Sequence, residues 1–246
     1  MKFWDADLTA EQRETLARYE ADLEQRLSPY RFRHSVSVAA TALELSRLYD
    51  DIDPYQAIAA GLLHDWDKEL SYEELVAEAE RFEVDLPEGE EFHLPLLHSI
   101  TGPFSLLEVY PELTDSILIA VGRHTIGAVH MSALDMAVYV SDLLEPLRVH
   151  PRAEALRMNI GVMPLEELYI SCMRSSLIHV VEHERPIFPE SVMIWNELMD
   201  VLAMSTDLHH PRITPIPKRA RRKRFPHEAS GLRSKRRSSS RKGNHN

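Results

Sequence analysis

Apolar residues recur at helical spacing along most of the chain up to about residue 205. One such stripe consists of Phe32, Val36, Ala39, Ala40 and Leu43. Spacings of three, four and seven residues predict amphipathic helices. Alternating strand patterns are never longer than a few residues. We therefore predict an all-α protein.

Capping and proline signals indicate where the first helices begin. Thr9 with Gln12, and Ser71 with Glu74, have the spacing of capping boxes. Ser28-Pro29 and Asp53-Pro54 place proline at a first helical position, where its missing N–H has no cost. These signals predict helices over 9–27, 29–50, 54–69 and 71–81. Apolar periodicity predicts further helices over 95–109, 112–123, 132–147, 164–183 and 190–204, with a loop over 83–91.

Composition supports the all-α fold class and indicates the cellular compartment. Eight glycines are few for a turn-rich β-sandwich, and 44% apolar residues suffice for a substantial core. The single cysteine, Cys172, excludes an internal disulfide and a cysteine-rich zinc module. Residues 1–10 lack the basic flank and apolar run of a signal peptide, and no apolar run approaches eighteen residues. We expect a cytoplasmic protein without a membrane segment.

Charge divides the chain into an acidic body and a basic tail. From Lys218 onward there are twelve Lys and Arg residues against one acid, Glu228, so the tail carries +11 and the rest −22. Such a tail cannot bury enough apolar surface to fold alone. We predict an N-terminal helix over 1–28, a core over 29–150, C-terminal helices over 151–205, and a disordered basic tail over 206–246. The C-terminal helices either pack on the core or form a homodimer surface, and the tail either contacts nucleic acid through phosphates or binds nothing specific.

The chemistry of the sequence centres on His64-Asp65. Small residues precede this pair at helical offsets of seven, four and three, namely Ala57, Ala60 and Gly61. Their smooth face lets a neighbouring helix approach closely, so His64 is expected to project into a confined interior. An imidazole beside a carboxylate there suits a cation, although a lone His-Asp pair is weak evidence.

Other polar residues interrupt apolar helix faces in the same way. They are His34, His98, His124 and Asp142, each on a different predicted helix. A single histidine on such a face is more often a core residue donating to a carbonyl. A buried carboxylate, in contrast, needs a cationic partner or a metal, because its unpaired desolvation costs several kcal/mol. Together with His64, five such positions favour one shared metal site.

The order and spacing of these residues resemble the YqeK-type branch of the HD superfamily, whose members are symmetrical bis(5′-nucleosyl)-tetraphosphatases. The resemblance covers residues 30 to 148. It rests on Arg33-His34, Gly61-Leu62-Leu63-His64-Asp65-Trp66-Asp67-Lys68, Leu97-His98-Ser99-Ile100-Thr101-Gly102, Arg123-His124-Thr125-Ile126-Gly127 and Ser141-Asp142-Leu143-Leu144-Glu145-Pro146.

The resemblance implies two metal ions bridged by Asp65. The first would be held by His34, His64, Asp65 and Asp142, and the second by Asp65, His98 and His124. It implies iron, whereas the ligand types alone leave manganese, cobalt, nickel and zinc open. Two cations about 3.5–4 Å apart can hold a hydroxide for in-line attack on a phosphoryl group.

Several residues near the motifs are candidates for binding the substrate phosphates. Asp65 and Lys68 are the catalytic candidates. Lys68 is also expected to reach a phosphate, Arg123 and Arg148 to clamp others, and Thr125 to donate its hydroxyl. For the three cations, the alternative is an ordinary solvated charge. Asp67 departs from the small or apolar residue expected there, so it either tunes the local charge or faces solvent. Glu145 is expected to orient a neighbouring group rather than bind metal.

The resemblance implies hydrolysis of diadenosine tetraphosphate to two ADP molecules. The residues alone predict only hydrolysis of a phosphoester or phosphoanhydride. One alternative is an HD phosphohydrolase of another nucleotide or cyclic dinucleotide. An alternative from a different class is a nucleic-acid-binding adaptor that works through its basic tail.

Overall fold

The computed structural model of the protein describes residues 8–86 and 94–205, and within these ranges it consists of ten α-helices without strands. The prediction of an all-α fold is thereby confirmed. None of the helices in these ranges combines the length and apolarity needed to cross a membrane. The predicted disordered tail over 206–246, its nucleic-acid contact and residues 87–91 of the predicted loop lie outside the described ranges. The helices are α1 Ala10–Arg26, α2 Pro29–Leu48, α3 Pro54–Leu63, α4 Tyr72–Arg81, α5 Leu94–Val109, α6 Asp115–Arg123, α7 Ala133–Leu144, α8 Pro151–Arg157, α9 Leu165–Glu182 and α10 Pro189–Ser205.

The predicted capping boxes are formed at both α1 and α4. At α1 the Thr9 N–H donates to Gln12 over 2.9 Å, and the Gln12 N–H donates to the Thr9 hydroxyl over 3.2 Å. At α4 the corresponding bonds join Ser71 and Glu74 over 2.7 and 3.2 Å. Each box satisfies two N–H groups that a helix start leaves unpaired. Local sequence therefore fixes where these helices begin.

The third helix ends earlier than predicted, at Leu63 instead of near residue 69. Residues 64–70 instead continue as tight turns, in which the N–H groups of Trp66, Lys68 and Leu70 donate to carbonyls three residues back. His64, Asp65 and Asp67 are all buried within these turns.

Three other helices differ from the prediction. Helix α7 ends at Leu144 rather than 147, because Glu145 precedes Pro146 and adopts an extended backbone with ψ 150°. Helix α8 was not predicted at all, although His150-Pro151 carries the same start signal as Ser28-Pro29. Helix α6 begins at Asp115, three residues later than predicted.

The interior is built around α7 and the close pair of α2 and α3. Helix α7 is buried on most sides and packs against α2, α3, α6 and α9. Helix α9 reaches it with Leu168, Tyr169 and Cys172, all buried. Gly61 of α3 lies directly against the backbone of α2, where an added Cβ would be 2.8 Å from the Ala39 Cα. The C-terminal helices thus extend one side of the core, and the smooth face of α3 allows the closest helix contact.

We predict that Gly61→Ala destabilises the fold by about 1–3 kcal/mol, because the new methyl group meets immovable backbone and overpacks the core. Gly102→Ala is the matched control, since its Cβ would have only an ordinary contact, 3.8 Å from the Val121 Cγ1. The control is expected to be neutral or to stabilise by up to about 1 kcal/mol. Urea unfolding followed by circular dichroism measures both. Equal stability of the two variants would contradict the close contact of α2 and α3.

Candidate metal centre

Five segments bring the predicted ligands to one buried place. His34 comes from α2, His64 and Asp65 from the turn after α3, His98 from α5, His124 from the end of α6, and Asp142 from α7. The four imidazoles and Asp65 are at most 2% exposed, and the Asp142 side chain is 20% exposed. In two sets of three residues, the possible ligand atoms all lie within 4.8 Å of one another. The sets are His34, His64 and Asp142, and His64, Asp65 and His124.

The ring orientation of three histidines is set by hydrogen bonds at Nδ1. His64 Nδ1 lies 2.8 Å from the Gly61 carbonyl, and His124 Nδ1 lies 2.6 Å from the Val121 carbonyl. His34 Nδ1 lies 3.1 Å from the Glu145 carboxylate. An Nδ1 that donates leaves Nε2 as the free lone pair, which is how metal-binding imidazoles are oriented.

The His64 Nε2 atom is buried and has no hydrogen-bond partner among the described residues. A buried acceptor without a partner costs free energy unless something else satisfies it. His98 Nε2 and His124 Nε2 also face each other at 3.1 Å. A cation bound beside His64 Nε2 would satisfy this lone pair.

Asp65 lies between two pairs of imidazoles and offers one oxygen to each. Its Oδ2 is 3.7 Å from His34 Nε2 and 3.5 Å from His64 Nε2. Its Oδ1 is 3.0 Å from His98 Nε2 and 3.7 Å from His124 Nε2. Asp142 Oδ1 lies 3.0 Å from His34 Nε2 on the first side. This geometry suits a carboxylate that bridges two ions.

Burial and neighbouring charge shift the pKa values of these groups in opposite directions. Burial lowers the pKa of His64 to about 4 and that of His98 to about 3, so both imidazoles are neutral at pH 7. Burial alone would lower the pKa of His34, but the Asp142 and Glu145 carboxylates raise it to about 9. Burial would raise the pKa of Asp65, yet the imidazoles around it, His64 first, hold it well below its usual range. The carboxylate is therefore ionised and balanced by its neighbours.

A cleft of about 360 Å³ opens beside this cluster, with His124 and Asp142 in its wall. The predicted phosphate ligands Lys68, Thr125 and Arg148 also line it. Its volume lies within the range of about 300–1,000 Å³ that is usual for small-molecule sites.

The polar groups of these three residues lie close to the cluster. Lys68 Nζ is 3.9 Å from Asp65 Oδ1, and Arg148 donates to Asp142 Oδ1 over 2.8 Å. Thr125 shares a hydrogen bond with Ser99 over 2.6 Å.

The structure places Arg123 elsewhere. Its guanidinium donates to the Asp135 carboxylate over 2.7 Å and to the His130 carbonyl over 3.0 Å. Arg123 does not line the cleft that contains Lys68 and Arg148, but a separate groove between α5 and α6. The geometry therefore offers no support for its predicted role as a phosphate clamp.

The Asp67 side chain is fully buried, so of its two predicted alternatives the one in which it faces solvent is wrong. It accepts from Arg26 over 2.9 Å and from the Thr101 and Ser105 hydroxyls over 2.8 Å each. Arg26 also donates to the Trp66 carbonyl over 2.6 Å. Asp67 thus joins the turn after α3 to α1 and α5, a network that depends on side chains distant in sequence.

Arg31 is a residue of the site that the sequence analysis missed. Its Nη1 lies 3.3 Å from Asp65 Oδ2. The available signal was its position one turn before His34 on the same helix face. The cleft also contains residues from α8 and α9, which the motifs did not reach. These are Arg152, Ala153, Ser175, Ser176, His179 and Val180.

Comparison with known proteins gives matches over most of the chain. The HD domain family model matches residues 31–147. The symmetrical bis(5′-nucleosyl)-tetraphosphatase of Bacillus subtilis is 27% identical over 73% of this chain and 95% of its own length. The protein of the same name from Halalkalibacterium halodurans is 28% identical over 70% of this chain and 91% of its own.

A solved structure from Clostridium acetobutylicum shares the fold. It is described as a predicted HD superfamily hydrolase involved in NAD metabolism, and it superposes with a TM-score of 0.69 at 24% identity. The match covers 77% of this chain and 97% of that one.

We predict that Glu145→Gln weakens metal binding about tenfold, because a neutral amide oxygen is a weaker acceptor for the His34 Nδ1–H than a carboxylate. Calorimetric titration with Mn²⁺ measures the affinity. Glu154→Gln is the matched control, since Glu154 is exposed on α8. A Glu145→Gln protein that binds Mn²⁺ as tightly as the wild type would exclude an orienting role for Glu145.

Proposed function

Residues 31–147 are an HD domain, and on this basis we propose that the protein hydrolyses dinucleoside tetraphosphates. Diadenosine tetraphosphate would be divided in the middle into two ADP molecules. Two relatives that match over about 70% of the chain carry the name of this activity. The position of Asp65, between two pairs of imidazoles and beside a cleft with cationic side chains, is the observation that carries the proposal.

We propose that the six predicted ligands hold two metal ions. His34, His64, Asp65 and Asp142 would hold the first, and Asp65, His98 and His124 the second. The buried Nε2 atom of His64 supports this assignment, because it has no hydrogen-bond partner among the described residues, and His34 Nε2 lies 3.0 Å from Asp142 Oδ1 beside it. When bound, such a pair supplies an activated water and neutralises charge on the phosphoryl oxygens.

The remaining residues of the cleft would bind and orient the substrate. Lys68 and Arg148 present cationic groups next to the cluster, where a polyphosphate chain would approach. Burial lowers the pKa of Lys68, while Asp65 and Asp142 favour its charged form. Arg148 is held by Asp142, so its guanidinium lies beside a proposed ligand. Thr125 would donate its hydroxyl from the same wall.

We propose iron as the native metal, although the same donors accept manganese, cobalt, nickel or zinc. Protein purified without oxygen and analysed for metals is expected to contain about two iron ions per chain, given two sites. His64→Ala should lose most of this metal, since His64 belongs to both sets of nearby ligand atoms. Zinc or manganese as the bound metal would reject iron and leave the two-metal site intact.

The product of diadenosine tetraphosphate hydrolysis is the direct test of function. Metal-loaded protein is expected to yield ADP alone, as separated by ion-exchange chromatography. AMP together with ATP, or no turnover beside rapid cleavage of another nucleotide, would reject the proposal. The Asp65→Asn protein should be at least about a hundredfold slower, because it loses the charge between the metals, which contribute several kcal/mol.

Deletion of residues 211–246 tests the alternative that the protein is a nucleic-acid-binding adaptor whose basic tail carries the function. Activity should persist in the truncated protein, because every proposed ligand precedes residue 143. Loss of all activity on truncation, with His64→Ala still fully active, would favour the adaptor.

A further inference from the structure

A second cleft, of about 180 Å³, adjoins the cleft beside the metal cluster. The two share wall residues, among them Leu96, Thr125 and Tyr139. The first cleft contains Lys68, Arg148 and Arg152, whereas Arg185 is the one Lys or Arg among the residues that line the second. A ligand that occupies both would therefore be anionic at one end and apolar at the other.

The walls of the second cleft are mostly apolar and come largely from outside the HD domain. Met173, Leu177 and Val180 belong to α9, and Ile187 and Phe188 to the segment before α10. Tyr139 of α7 lies under both clefts, and its ring packs edge-on against Tyr169 at 5.1 Å. Pockets with apolar and aromatic walls and a few polar groups are typical of small-molecule sites.

The cationic cleft also has a free donor that suits a phosphate chain beside this apolar cleft. The Arg152 Nη1 atom is buried and has no hydrogen-bond partner among the described residues, although the same guanidinium pairs with Glu182. Arginine is well suited to bind phosphate oxygens with two donors at once. Arg148 and Arg152 would bind successive phosphates of a chain that extends away from the metals.

We propose that the second cleft binds one nucleoside of the substrate, with the base between α9 and residues 186–188. This inference rests on the proposed function for the substrate class. It assigns a role to the C-terminal helices: the HD domain performs hydrolysis, and α9 with the following segment recognises the nucleoside. Apolar contact and stacking on aromatic rings bind any base face, so recognition would extend to dinucleotides with other bases.

ADP and inorganic pyrophosphate form a matched pair of probes, because they differ by the nucleoside alone. The variant Leu177→Ala/Ile187→Ala removes two walls of the cleft, and both side chains are partly exposed, so the fold should tolerate the change. Calorimetry on metal-loaded protein is expected to show about tenfold weaker binding of ADP, as expected for lost apolar contact. The affinity for pyrophosphate should stay within twofold of the wild type.

The control variant Ile178→Ala/Val181→Ala changes two exposed apolar residues of α9 that do not line the cleft. It should bind both probes as the wild type does. If the double wall variant fails to fold, Ile187→Ala alone is the substitute, since Ile187 is 37% exposed and lies between helices.

Unchanged ADP affinity, or equal loss for ADP and pyrophosphate, would overturn the nucleoside site. These outcomes are independent of turnover. A wild-type protein that fails to cleave diadenosine tetraphosphate rejects the proposed function, whereas a selective loss of ADP binding in the wall variant still supports the site.

Discussion

The desolvation of Asp65 is the constraint on which the rest of the structure depends. An ionised carboxylate removed from water costs several kcal/mol unless cations or donors surround it. Here the cationic neighbours are Arg31 and Lys68, and the Nε2 atoms of four imidazoles also face the carboxylate, delivered by α2, α5 and the ends of α3 and α6. The close approach of α2 and α3 at Gly61 is necessary for this, because it brings His34 and His64 to the same carboxylate.

Two histidines of the cluster are oriented by the same local hydrogen bond. His64 and His124 are each the C-cap residue of a short helix, and each directs Nδ1 to the carbonyl three residues back. The last carbonyls of a helix lack partners within it, so the imidazole satisfies one of them. The opposite nitrogen then points into the core. Helix ends thus orient the rings without a carboxylate partner, whereas His34, within α2, depends on Glu145.

The parts of the fold that depend on local sequence were predictable. Capping boxes at Thr9 and Ser71 and the inward-facing positions of the histidines follow from short-range patterns. The burial of Asp67 was not predictable, because its partners Arg26 and Thr101 come from α1 and α5. The second cleft could not be predicted for the same reason, since Tyr139 and Phe188 line one cleft only when α9 packs on α7. Arg123 is the opposite case. Its position beside the His124 motif predicts a phosphate contact, but its guanidinium pairs with Asp135.

The acidity of the protein is compatible with a polyanionic substrate because the local field at the site differs from the net charge. Surface charges are screened over about 8–10 Å at physiological salt, so most of the acidic residues act weakly inside the cleft. There the nearest charges are Lys68, Arg148 and Arg152 together with any bound metal. Asp142 is already neutralised by Arg148, and Asp65 is surrounded by imidazoles. Among the described residues, Lys68, Arg148 and Arg152 thus give the cleft a positive local charge despite the negative charge of the body.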